Sequence, residues 1–286
     1  MIIVKLQGGL GNQMFQYAAG KSLAVKHNVP LFLDHSYLER NNRSFNGFTA
    51  RTYGLDIFNI SGNRLSAQVI DQYFDSGSDS AVYAYTELPV SYDARFRTLK
   101  PAVHIRGNWQ SPKYFKAVSD LLKNEFSFKE SDLIEKNDLL VNQILNCNSV
   151  AIHVRRSDYI TPPGISKIYH TCTVEYYQKA ISAILDRFAD IDFFVFSDDI
   201  KWAEGNLKTE RASIHFIHRN LDADWLDMYL MSICKHNIIA NSTFSWWAAW
   251  LNANVNKNII APSKWFEIVP PGFNINYLYP KEWVKI

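Results

Sequence analysis

Short apolar runs with polar ends alternate along this chain with longer stretches of helical spacing. The run at 149–154 (SVAIHV) is built from small and β-branched residues, which suits a strand covered on both faces. Comparable runs lie at 1–6, 30–34, 102–106, 192–196, 214–217, 237–240 and 258–261, and 81–85 is a further strand candidate. Between them, 14–27, 121–145, 173–189, 224–235 and 244–252 carry helical spacing. In 173–189, Tyr177, Ala180, Ile181, Ile184 and Leu185 share a face; in 224–235, Leu226, Tyr229, Leu230 and Ile233 do. The 121–145 stretch breaks near 126–130, with Ser131 placed to cap its second helical segment. Alternating strands and helices predict an α/β protein with parallel sheets. The polar residues Asn146, Cys147, Asn148 and Ser149 mark a division into two halves, 1–147 and 148–286. Residues 39–64 read as a long loop with a short element around 55–58, and 64–100 hold no decisive pattern beyond 81–85.

Ligands of open parallel sheets bind just beyond the carboxyl ends of the strands, so the polar residues there are the candidates for chemistry. After the 149–154 strand come Arg155, Arg156 and Asp158, with His153 at its end. Alternation puts His153 and Arg155 on one side and Arg156 on the other. A guanidinium fork is the expected partner of a phosphate or diphosphate. The plain alternative is two surface arginines paired with Asp158; the buried strand ahead of them favours a site. After 192–196 come Ser197, Asp198 and Asp199. An acidic pair there accepts from guanine N–H groups, binds a metal, or caps the helix that comes next. After 237–240 come Asn241, Ser242, Thr243 and Phe244. Ser242 and Thr243 stand where a helix begins, which is either a phosphate seat or ordinary capping. Trp246 and Trp247 read as core.

The first strand leads into Gly8–Gln13 and then a helix. The dinucleotide fingerprint fails at Met14, and the Walker pattern fails because Phe15 stands where it needs glycine. This leaves a tight loop whose amides and Asn12 meet a ligand, or a plain turn.

Composition narrows the partners. The formal net charge is +2, so there is no electrostatic case for nucleic acid, and any anion site is local. Cys147, Cys172 and Cys234 form no CxxC pair, which fits reduced thiols in a cytosolic protein and no zinc site. No apolar run is long enough to span a membrane. The Arg, Asn, Tyr and Phe residues of 39–64 suit a sugar acceptor or a solvated loop.

Four segments, GGLGNQMFQYA (8–18), HVRRSDY (153–159), FSDDIKW (196–202) and NSTFSWWAAWL (241–251), together resemble the bacterial α-1,2-fucosyltransferase family, with its HxRRxD motif. Ser157, Thr243 and Ala248 depart from the residues frequent there, and none of these removes a charge. The resemblance implies a GT-B-like α/β fold, two Rossmann-like halves facing across a cleft. It implies an inverting transfer of L-fucose from GDP-fucose to the 2-hydroxyl of a terminal galactose, in an oligosaccharide or lipid-linked glycan such as an O-antigen. The donor is then held mainly by 148–286, and the acceptor approached mainly from 1–147.

By the same resemblance Arg155 binds the diphosphate beside Arg156. His153 and one of Asp198 and Asp199 read the guanosine. Ser242, Thr243 and Phe244 bind the β-phosphate, Asn241 belongs to the donor-binding set, and Gly11, Asn12 and Gln13 approach the donor. No metal or cofactor is expected, because an arginine and helix-end amides neutralise the leaving GDP. The expected location is cytoplasmic, peripheral at the inner membrane through the acceptor. Asp158 is the first candidate for the base that takes the sugar hydroxyl's proton, although pairing with Arg155 and Arg156 competes for it; Asp34 is its rival. A transferase to another acceptor, a GDP-sugar hydrolase and a glycan-binding protein are the alternatives.

Overall fold

The computed structural model describes residues 1–44, 49–75, 82–88, 92–129, 132–156, 170–218 and 223–286. Packing divides the chain into two compact units, Met1–Lys129 with Pro270–Pro280, and Glu130–Val269 with Lys281–Ile286. The division lies earlier than the expected break at 147/148. The reason is the helix Asp138–Asn146, which packs against the strand after it and the helix Asp224–Ile233, both in the second unit.

The first unit is built on a parallel sheet of β1 (Ile2–Lys5), β2 (Leu31–Asp34), β3 (Asn63–Leu65), β4 (Tyr83–Thr86) and β5 (Val103–Arg106), in the order β3-β2-β1-β5-β4. Its inner strands are apolar on both faces because both are covered. Val4 meets the helix Leu10–His27, while Ile3 joins Ile70 and Val82 on the other side. Gly20 is the point of closest approach. A Cβ there would lie 2.9 Å from Leu31 and 3.0 Å from Val4, so the glycine of the Gly20-Lys21-Ser22 run serves helix–sheet packing. Lys21 Nζ is paired with Glu125 Oε1 at 2.6 Å, a structural use for the lysine that imitates a Walker motif.

The second unit holds β6 (Asn148–Val154), β7 (Ile191–Ser197), β8 (Ser213–Ile217), β9 (His236–Ile238), β10 (Ile259–Ala261) and β11 (Val284–Lys285), all parallel, in the order β11-β10-β9-β6-β7-β8. Counted from β6, this is the doubly wound order 3-2-1-4-5-6 of dinucleotide-binding folds. Val150, Ile152 and Val154 pack with Tyr176, Tyr177, Ala180, Ile181 and Ile184 of the helix Val174–Leu185. The opposite face is met by the helix Thr243–Leu251, where Trp246 and Trp247 are fully buried core residues.

Candidate functional site

In the second sheet the strand order reverses between β6 and β9, so a crevice opens at their carboxyl ends. Two neighbouring tyrosines hold both ends in place. Tyr177 Oη donates to the carbonyl of His153 at 3.1 Å, and Tyr176 Oη donates to the carbonyl of Ile239 at 2.6 Å. Burial pushes the Tyr177 phenol well above its ordinary value, so it stays a neutral donor.

The alternation expected past β6 is present. His153 turns to the face of the helix Thr243–Leu251, its ring 5.8 Å from that of Phe244. Arg156 turns to the other face, its guanidinium 3.9 Å over the ring of Trp202. Arg155 Nε lies 3.3 Å from Asp198 Oδ2, and Asp198 Oδ1 accepts the backbone N–H of Arg156 at 2.8 Å. Asp198 is therefore the group that orients Arg155, a role the sequence reading missed. The signal for it was the position of both residues at the ends of adjacent parallel strands. Asp199 caps the helix Ile200–Asn206 by accepting from Trp202 N at 3.2 Å, and its Oδ2 lies 3.6 Å from Arg156 Nε. Each member of the acidic pair thus answers one arginine.

Past β9, Ser242 is the N-cap of Thr243–Leu251, and its hydroxyl accepts from Phe244 N at 3.3 Å. Ser242, Thr243 and Phe244 stand at the positive end of that helix dipole, a seat for an anion. Asn241 is different. It is completely buried, its Nδ2 donates to the carbonyls of His170 and Trp265, and its Oδ1 accepts from Cys172 Sγ at 3.5 Å. It clamps the loop beneath the site and has no surface to offer a ligand, which corrects its place in the donor-binding set. Asp158 lies outside the described residues. Among those described, no three His, Cys, Asp or Glu side chains are gathered as metal ligands.

The first unit is a second parallel sheet with a different strand order and different side chains. In it β1 and β5 are neighbours, and the order does not reverse between them. The helix after β1 begins at Leu10, so Gly11, Asn12 and Gln13 lie in its first turn and not in a loop before it. Gln13 is fully buried; its Nε2 donates to the carbonyls of Gly8 and Thr52, and its Oε1 accepts from Gly54 N. Gly11 is buried too. Of the three expected to approach the donor, only Asn12 reaches a surface. Its Oδ1 accepts from Gln110 Nε2 at 3.0 Å. Gly8, at φ +74°, leaves room for it: a Cβ there would lie 2.5 Å from Asn12 Nδ2.

The loop bearing Gln110 is set by a glutamate that the sequence reading passed over. Glu87 Oε2 accepts the N–H groups of Asn108 at 2.9 Å and Trp109 at 2.7 Å. Burial pushes its carboxyl up to about 7 despite those bonds. Asp34 is unsuited to act as a base. It is buried against His104 Nε2 at 3.0 Å; burial pushes its pKa up, but bonds from His104 and Ser36 outweigh that and lower it.

The sequence pattern of glycosyl transferase family 11 matches residues 55–286. The chain is similar to an Escherichia coli protein named alpha-1,2-colitosyltransferase, 33% identical over 100% of this chain and 99% of that one. It is 34% identical to the E. coli O-antigen biosynthesis glycosyltransferase WbnK, over 98% of this chain and 99% of the other. A rabbit (Oryctolagus cuniculus) galactoside alpha-(1,2)-fucosyltransferase 2 is 24% identical over 100% of this chain and 77% of its own. Among solved structures, a mutant of Arabidopsis thaliana FUT1 in complex with GDP shares the fold, with a TM-score of 0.52 at 13% identity, covering 90% of this chain and 69% of that one.

Proposed function

The chain belongs to glycosyl transferase family 11, and we propose that it moves L-fucose from GDP-fucose to the 2-hydroxyl of a terminal galactose in a glycan, with inversion. The observation that carries this reading is the switch point of the second sheet. There an arginine fixed by Asp198 extends the same strand as His153, and His153 meets Phe244 at the capped end of a helix. A cation and a helix N-terminus at one sheet edge suit a diphosphate. The four family-like segments and the relatives named for α-1,2 transfer support the sugar and linkage.

In this reading the galactose O2 attacks the fucose anomeric carbon as the bond to the β-phosphate oxygen breaks, and the electron pair leaves with GDP. Arg155 and the amides at Ser242, Thr243 and Phe244 meet the charge that develops there. His153 packs toward the nucleoside, and Asp158 takes the hydroxyl proton. Replacing Asp158 by Asn then leaves GDP binding intact while turnover falls by roughly two to four orders of magnitude; loss of both assigns Asp158 to holding the arginines. No metal is needed, since Asp198 and Asp199 are each engaged with an arginine, and activity is expected to survive EDTA.

One relative favours a second donor, because its name assigns it colitose. Colitose is fucose without the 3-hydroxyl, and a site that hydrogen-bonds a hydroxyl discriminates strongly against a sugar lacking it. The test is an assay of both GDP-sugars against an array of galactose-terminated acceptors, with linkage analysis of the product. Transfer of fucose in α-1,2 linkage upholds the proposal. Transfer of colitose alone, or release of free sugar at full rate without acceptor, overturns it.

A further inference from the structure

One turn of the first unit holds two residues in conformations that L side chains avoid. Gly107 has φ +156°, and Trp109 has φ +55°, a left-handed backbone unusual for so bulky a residue. Such strain persists only where the surroundings over-determine it, and it collects at working sites.

The fixing groups here come from several directions. Glu87, the residue after β4, extends the β4–β5 pairing by donating its N–H to the Arg106 carbonyl at 2.8 Å. Its carboxylate reaches over the turn that follows β5, where Oε2 accepts from the N–H groups of Asn108 and Trp109. Gly107 makes that reach possible, since a Cβ there would lie 2.5 Å from Glu87 Cβ and 2.7 Å from its Oε2. The Trp109 indole is fully buried, with the rings of Phe96 and Tyr114 at 5.3 and 5.2 Å. On the far side of the turn, Ser111 N donates to the Trp109 carbonyl at 2.8 Å, and Ser111 Oγ donates to the Tyr277 carbonyl at 2.5 Å.

Between these fixed points stands Gln110. Its Nε2 donates to Asn12 Oδ1 at 3.0 Å, joining this turn to the first turn of the helix Leu10–His27. Asn12 lines a cavity of about 220 Å³ just past β1, together with Gln7, Gly8 and Arg51. A side-chain amide has one accepting end and one donating end. The accepting end of Asn12 is taken by Gln110, and its Nδ2 makes no hydrogen bond with a described residue. A ligand in this cavity therefore meets Asn12 as a donor.

We infer that Gln110, set by Glu87 through the strained Trp109 turn, is a positioning residue for transfer, holding Asn12 so that its amide N–H group faces an oxygen of the substrate. The inference rests on the transferase reading, in which Asn12 meets substrate.

The experiment follows turnover of GDP-fucose with a galactose-terminated acceptor in single and double variants. A misplacement on the scale of 1 Å costs up to about a hundredfold, so Gln110→Ala should lower kcat/KM by roughly 10- to 100-fold. In an Asn12→Ala background the same change should cost less than about twofold, because the group it positions is gone. Asn12→Asp keeps an oxygen for Gln110 and cannot donate, so it should be as impaired as Asn12→Ala. Glu87→Gln keeps an oxygen for both backbone N–H groups and should retain most of the activity that Glu87→Ala loses, a rescue that a merely space-filling role would not require. Additive losses for Asn12→Ala and Gln110→Ala would overturn the inference, as would parent-like turnover in Asn12→Asp. Gln110 makes no other side-chain bond among the described residues, so Gln110→Ala carries the test even where Glu87→Ala unfolds. A second readout needs no turnover. In protein labelled with 15N-asparagine, the Asn12 side-chain signal is identified by its loss in Asn12→Ala. It should shift in Gln110→Ala and keep its place in Glu87→Gln. An unmoved signal in Gln110→Ala overturns the positioning whatever sugar is transferred, whereas a shifted signal in a protein that transfers no fucose upholds the positioning and sinks the fucose reading.

Discussion

The two sheets of this protein are both parallel, and they differ in strand order and in what stands at their ends. In the second the order reverses between β6 and β9, whereas in the first, β3-β2-β1-β5-β4, both runs proceed in the same direction. At the β6–β9 reversal stand Arg155, Arg156 and the capped start of the helix Thr243–Leu251. Where β1 and β5 lie side by side, β1 ends in Lys5 and β5 in Arg106, with the amides of Gln7, Asn12 and Asn108 beyond them. A reversal opens a crevice because its two connections leave to opposite faces. The side chains at the strand ends then set its charge.

The contrast is broken most severely at the cation. Arg155→Ala should reduce kcat/KM by about a few hundred-fold, the cost of one preorganised donor to a developing anion, or roughly 3–4 kcal/mol. Arg155→Lys should recover little, since an ammonium lacks the planar fork. Near-normal turnover in Arg155→Ala would remove the diphosphate from this edge. Asp198→Asn comes next. Loosening Arg155 should cost up to about a hundredfold, the scale of a 1 Å misplacement. In the Arg155→Ala background the same change should cost little, because the group it positions is gone. Full additivity in that cycle would show that Asp198 acts independently of Arg155.

The helix end makes a smaller contribution. Ser242→Ala removes the cap on Phe244 N and should lower stability by about 1 kcal/mol, read as a drop of roughly 2–4 °C in Tm. GDP should protect the variant less than the parent. Parent-like Tm and GDP protection would reduce Ser242 to a bystander.

The first unit carries the smallest effect, a pH dependence. Glu87 has its pKa raised from 4.5 to about 7 in the folded protein, chiefly by burial. A raised carboxyl binds its proton more tightly when folded. Its contribution is fully present below about pH 4.5 and is lost as pH rises through about 7. Glu87→Gln keeps an oxygen for Asn108 and Trp109 without a charge. It should therefore gain on the parent in urea melts as pH goes from 5 to 8. A constant difference across that range would contradict the assignment.

Much of the second unit could be read from the chain alone. The run VAIHV is buried on both sides, so it had to be an inner strand, and the polar residues after it had to lie at a sheet edge. Period-two alternation was enough to send His153 and Arg156 to opposite faces, as found. Periodicity likewise placed the helices around Tyr177 and Leu226. The Trp pair fell in the core because a helix as apolar as Thr243–Leu251 must be covered nearly all round.

What the chain could not reveal depends on residues far apart in sequence. β3 is three residues long and largely exposed, and it is a strand only because β2 offers it a partner. That Asp198 grips Arg155 is a consequence of β6 and β7 lying side by side, a pairing set by the whole sheet. Gln13 and Asn241 carry polar side chains in promising motifs. Each is instead consumed by backbone groups of distant segments, because a buried amide must find partners wherever the fold supplies them. Local pattern determines which face of an element is wet or dry, since that depends on neighbours a few residues away. Which polar group remains available to a ligand was decided only when the chain closed on itself.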